Sequence, residues 1–279
     1  MKKLFILLFI PFFFLCLINY SSVIEISRNI WSSFLIKIIP TLLPMLLLTN
    51  IFIKGGFFIN IIRKFPKFRD VIIIFISILL GNPSSLIFLN DLKSQNIITY
   101  KEKEVFFSSF GGISFPFLYS LIITFDSLKG IYFLLIYYTG EFLIYFFTKN
   151  KTEVKIMNIK KITINRNILF DSILASFKTL SIIICFSLLI NFIFCMNLNV
   201  FNTLPLLTCF IEFSYSSFIS LQNQNFITSL FMMMILSFTS LSLYFQVYYI
   251  DPCCIIENLI KKRWLISAIN TCLFFIFFF

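Results

Sequence analysis

The sequence predicts an all-α polytopic membrane protein made of inverted-topology repeats, each with a re-entrant hairpin and a broken span, plus an extra N-terminal transmembrane helix. Three observations predict this. The chain is 59% hydrophobic over 279 residues, with a mean hydropathy of +0.97. Apolar runs of 16 residues or more recur along its whole length. Lys and Arg gather in the connections between those runs, as expected of loops on the inner side of a membrane. The predicted organisation is an N-terminal transmembrane helix and outer loop at 1–33, a first repeat at 34–147, a basic cytoplasmic linker at 148–167 and a second repeat at 168–279.

Run 4–24 follows Lys2 and Lys3, and no small-residue cleavage site comes after it, so a retained first span with a cytoplasmic N-terminus is expected. Run 34–53 returns to the inner side, where the connection 54–70 carries Lys54, Arg63, Lys64, Lys67 and Arg69. If 71–89 and 105–125 both crossed fully, the most basic connection, with Lys149, Lys151, Lys155, Lys160, Lys161 and Arg166, would face outward. A hairpin over about 71–97 that turns at Gly81-Asn82-Pro83 removes this conflict. Val71 to Gly81 is 11 residues, about 16 Å of helix, or half of the ~30 Å hydrocarbon core. The tip then falls near the midplane, where freed backbone groups must be buried in protein or line a cavity.

The stretch DLKSQNIITYKEKE has mixed charges and is expected to be a solvated loop entering a helix, with Thr99 and Glu102 as a capping box. Run 105–125 is interrupted at Gly111-Gly112, with Pro116 beyond. Runs 131–147 and 168–196 carry Glu141 and Lys178, expected as buried charges that could pair. Run 201–221 breaks at Glu212 to Ser217, and a hairpin over about 201–225 entering from the outer side keeps Lys261, Lys262 and Arg263 inside. Runs 226–250 and 264–279 complete the chain. All but Arg28, Lys37, Lys129 and Lys178 of the 23 basic residues then lie inside. Topology therefore explains the +11 net charge without nucleic acid, and without special attraction to lipid headgroups.

Three pairs of segments recur in the same order: SSLIFL (84–89) with SSFISL (216–221), QNIIT (95–99) with QNFIT (224–228), and SFGGISFPF (109–117) with SFTSLSLYF (237–245). Their places relative to the two hairpins make them candidate inverted repeats, which would bring two tips toward the midplane from opposite sides.

The stretches IPTLLPMLLLTNIF (39–52), LLGNPSSLIF (79–88), NIITYKEKE leading into FFSSFGGISFPF, IEFSYSS (211–217) and SFTSLSLYFQV (237–247) together resemble the landmarks of the sporulation integral membrane protein family (YlbJ-like), related to proteins with the nucleoside-recognition (Gate) domain. The resemblance implies a role in endospore formation, in the mother-cell or forespore membrane during cortex assembly, with other sporulation membrane proteins as partners. Of that family's Gly-x-Pro-x-Gly-Ala-Lys pattern, Gly81 and Pro83 are present, while Ser85 and Ile87 stand at the second Gly and the Lys. Glu212 keeps the acidic position of the second tip, and Thr239-Ser240-Leu241-Ser242 with Gln246 stands at the Gly-Gly-Leu-Ser-type stretch.

The expected solute-binding residues are Gly81, Asn82, Pro83, Ser84 and Ser85 at the first tip, Glu212, Ser214, Ser216 and Ser217 at the second, and Ser242 and Gln246 beside it. Glu212 leads this set, because a carboxyl at the midplane must be protonated, paired or hydrated. Ser114 is a further hydroxyl that could contact a solute or simply pack a helix. The chain has no His and seven scattered Cys, which argues against a metal centre, a catalytic triad or another enzyme and calls for no cofactor. The expected ligands are the bilayer and a small polar solute; the alternative is an assembly protein that keeps a transporter scaffold without transport.

Overall fold

The computed structural model describes residues 20–122, 127–149, 167–195, 226–251 and 256–278. Every element in them is helical. The first is α1 (Tyr20–Ser33), which passes through a π turn at Phe34–Ile38 into α2 (Ile39–Lys54). Residues 25–33, expected in an outer loop, are thus helical, because no Gly or Pro interrupts the chain before Pro40. After a 60° bend at Gly55-Gly56 comes α3 (Phe57–Lys64), where the sequence suggests a loop. Ile59 and Ile62 bury one side of α3 while Arg63 and Lys64 occupy its last turn, the pattern of an amphipathic helix.

Two short helices follow, α4 (Arg69–Leu80) and α5 (Ser84–Ser94), joined at Gly81-Asn82-Pro83 into a helical hairpin. Gly81, at φ 58°, ends α4 in a conformation that favours glycine, and a cis Asn82–Pro83 bond follows. Both open ends of the hairpin meet: Arg69 Nη1 donates to the Ile97 carbonyl at 3.3 Å. Twelve residues make α4 about 18 Å long, little over half of ~30 Å.

Next come α6 (Tyr100–Phe110), α7 (Phe115–Ile122), α8 (Ser127–Thr148) and α9 (Ile168–Cys195). Thr99 caps α6 in the predicted box, its hydroxyl accepting from Glu102 N–H at 3.2 Å and its own N–H donating to Glu102 at 2.7 Å. The remaining described helices are α10 (Phe226–Phe238), α11 (Leu241–Ile250) and α12 (Ile256–Phe278). α10 ends where Thr239 takes φ 70°, an uncommon conformation for a β-branched residue.

Polar contacts gather the basic helix ends at one end of the bundle. Lys54 donates to the Asp171 carbonyl at 2.6 Å, and Asn50 to Ser176 at 2.8 Å. Lys149 pairs with Asp70 at 2.7 Å, and Asn258 donates to Glu104 at 2.8 Å. At the far end the contacts are aromatic, as in Tyr132 on Phe278 and Phe226 on Phe274.

Two apolar clusters fill the bundle, and a polar layer separates them. One holds Leu86, Phe110, Tyr145, Phe238 and Leu259; the other holds Ile113, Ile136, Leu236 and Phe274. The chain passes from one cluster to the other at Gly111-Gly112 in the α6–α7 break, Glu141 in α8, Ser237 in α10, and Arg263 to Asn270 in α12. Outward faces are apolar instead: Ile131, Leu135 and Phe146 on α8, Leu169, Leu174 and Phe177 on α9. Polar groups inside and apolar side chains outside suit a bilayer rather than water. Two described segments, Gly130–Thr148 and Ile168–Cys185, are long and apolar enough to cross a membrane, or three spans if the bent pair α2–α3 acts as one.

Candidate functional site

Three chain breaks and one ion pair meet in the polar layer. At the hairpin tip, Asn82 N–H donates to the Gly112 carbonyl at 2.7 Å, joining the first break to the α6–α7 break. The approach is close enough that a β-carbon on Gly81 would collide with the Ser114 backbone. On the other side of Gly112 a β-carbon would lie 2.5–2.7 Å from Tyr137 Oη, Glu141 Oε1 and Arg263 Nη1. Glycine at 81 and 112 is therefore what lets hairpin, break and ion pair come into contact.

Arg263 and Glu141 are wholly buried, with Nη1 2.7 Å from Oε1. Arg263 Nη2 donates to the Ser109 carbonyl at 3.1 Å, one of the carbonyls left unpaired where α6 stops. Tyr137, one turn before Glu141, accepts from Ile113 N–H at 3.1 Å, holding the restart of α7. Two turns along α12, Asn270 Nδ2 donates to the Tyr137 carbonyl at 3.0 Å and to Ser237 at 2.8 Å, just before the third break. Asn270 presses on Gly140, where a β-carbon would clash with its side chain. At that break Tyr244 donates to the Phe238 carbonyl at 2.6 Å.

Several buried polar atoms around these breaks have no hydrogen-bond partner: Ser77 Oγ, Asn82 Oδ1, Ser85 Oγ, Ser109 Oγ, Gln246 Oε1, Arg263 Nε and Asn270 Oδ1. An unpaired group in such a setting costs about 1–3 kcal/mol, so a set of them marks a place that gains from a polar occupant. The set mixes donors and acceptors, and its one ion pair is internally neutral. Among the described residues no group of three His, Cys, Asp or Glu could hold a metal ion.

Of the expected residues, Gly81, Asn82, Pro83, Ser84 and Ser85 stand together at the first tip, and Gln246 is buried on α11, which also carries Ser242. Glu212, Ser214, Ser216 and Ser217 lie outside the described residues. The expected pairing of Glu141 with Lys178 is corrected: Lys178 is exposed on α9, and Glu141 takes Arg263 instead. Arg263 does not belong to a cytoplasmic loop, because α12 starts at Ile256 and carries it two turns into the bundle. Lys103 is likewise not in a solvated loop; it is buried on α6 and bonded to Asn90 and Asp251. The sequence holds a signal for Arg263: Arg263, Ser267 and Asn270, spaced four and three apart, form one polar helix stripe.

No family model, curated protein or solved structure matches the chain.

Proposed function

We propose that this chain is a multi-pass membrane protein of endospore formation with a transporter-like architecture, which handles a small polar solute at its chain breaks. The observation that carries the proposal is the convergence of unpartnered buried polar atoms on the breaks at the level of Glu141 and Arg263. Their mixed, internally neutral character suits an uncharged or zwitterionic solute. A two-repeat reading is supported by the α6–α7 and α10–α11 breaks: α6 ends at Phe110 and α10 at Phe238, equivalent positions in the aligned pair SFGGISFPF and SFTSLSLYF. The short hairpin α4–α5, open toward the basic end, supports re-entry from the cytoplasmic side, with a second hairpin expected over about 201–225. Lys103 with Asp251, Lys262 with Ser108 and Asn258 with Glu104 tie the two halves at that end, so the conformation described is closed there. The role in endospore formation rests on the sequence landmarks that resemble the sporulation family.

A second reading, an assembly protein that has lost transport, is favoured by Ser85 and Ile87 at the tip positions where that family carries Gly and Lys. Thiol labelling separates the two. In a background with the native cysteines replaced by Ser, transport predicts that Ser85→Cys and Ser240→Cys react with a membrane-impermeant reagent, at least one of them from both faces. If both stay unreactive, the layer is dry and the assembly reading holds.

A further inference from the structure

At the basic end, α4, α6 and α8 line an open cavity of about 50 Å³. That is room for about four waters, or one phosphate group. Its rim carries three cations, Arg69, Lys101 and Lys149, and two carboxylates, Asp70 and Glu102. The carboxylates are already occupied. Asp70 accepts from Arg69 at 3.0 Å and pairs with Lys149 at 2.7 Å, and Glu102 accepts from Arg69 at 2.6 Å. The Lys101 side chain is exposed and makes no ion pair or hydrogen bond with another described residue. The rim therefore keeps one positive charge.

Beneath the rim the wall is apolar, formed by Phe106 and Tyr145 stacked at 5.6 Å. One turn further into the bundle on α8, Phe142 is 37% exposed and packs edge-on against Phe110 at 5.2 Å. Phe142 precedes Lys149 by seven residues, two helical turns, so an exposed apolar surface lies on the same side of the chain as the charged rim. A free anion would use the rim alone. A molecule with a charged head and an apolar tail would use both.

We propose that this cavity holds the phosphate of an anionic phospholipid, with Lys101 and Lys149 contacting the phosphate oxygens and an acyl chain lying over Phe142 on the outer face of α8. Depression of the Asp70 pKa agrees with this geometry: burial alone would raise it, yet Lys149 and Arg69 hold it below the ordinary carboxylate range. The carboxylate thus stays charged and keeps the cations in place. The inference depends on the membrane reading but not on transport.

The test is native mass spectrometry of the full chain in detergent, titrated with phosphatidylglycerol or phosphatidylcholine. Phosphatidylglycerol is expected to bind roughly tenfold more tightly. Lys101→Glu should remove most of that preference, an effect of about tenfold for reversing one charge at a headgroup. Lys67→Gln, outside the cavity, should leave it intact. Because Lys101 is exposed, an unchanged melting temperature shows that the variant is folded; if it is not, Lys101→Gln makes the same test with a smaller expected loss. Equal affinity for the two lipids, or full binding by folded Lys101→Glu, overturns the proposal. Displacement of phosphatidylglycerol by excess inorganic phosphate also overturns it, by making the cavity a free-anion site. None of these outcomes alters the labelling result at Ser85 and Ser240.

Discussion

Two charged groupings, about two helical turns apart along α8, show how depth changes the meaning of the same side chains. In the polar layer Glu141 and Arg263 are wholly buried, with their remaining neighbours supplied by backbone carbonyls, glycines and Tyr137. At the basic end Asp70, Arg69, Glu102 and Lys149 form a chain of pairs in which Lys149 is 45% exposed. The inner pair is held by the absence of any alternative, since either ion alone would be stranded. At the rim, the Lys149–Asp70 pair competes with water, while Arg69 and Glu102 are largely sheltered. Burial, more than distance, separates them: both groupings contain contacts of 2.6–2.7 Å.

The sharpest way to break this comparison is to remove one inner partner. Glu141→Leu or Arg263→Met should each destabilise the protein by about 3–5 kcal/mol, read as loss of melting temperature in detergent. The double variant should recover most of that loss, and added salt should change neither single effect, because a buried pair is little screened. Additive losses in the double variant would show that the two ions do not act as a pair.

Gly112→Ala should come next, at about 1–3 kcal/mol, because a methyl group there meets Tyr137, Glu141 and Arg263 together. The smallest effect belongs to the rim. Asp70→Asn should cost up to about 1 kcal/mol at neutral pH, and less at high salt. Because the folded pKa of Asp70 lies below its unfolded value, its contribution is present above about pH 4 and fades as pH falls through the folded pKa. Melting curves of the variant and the parent should therefore converge in acid.

What the sequence reveals and what it hides divide along the same line between local and distant interactions. The turn at Gly81-Asn82-Pro83 and the capping box at Thr99 and Glu102 are legible because each is decided by residues within four positions. The break at Gly111-Gly112 is legible for the same reason. The partner of Glu141 is not, since Arg263 stands 122 positions away beside Lys261 and Lys262, whose company suggests a loop. Lys103 is hidden similarly: its partner Asp251 lies 148 positions on, where the chain returns to the basic end. The helical residues 25–33 and 57–64 show the opposite error, in which charged residues suggest a loop although nothing in the local chemistry stops a helix.

The polar layer between two apolar clusters also gives the molecule a seam. Interlocked apolar side chains resist sliding, because every step opens gaps that forfeit contact. Hydrogen bonds can be exchanged for one another at much smaller net change, provided spare donors and acceptors stand nearby. Arg263 Nε, Asn270 Oδ1, Ser85 Oγ and Ser109 Oγ are such spares. Because α8 and α12 run unbroken through this layer, the exchange serves small tilts of the broken segments α4–α5, α6–α7 and α10–α11, with bonds handed from one group to the next.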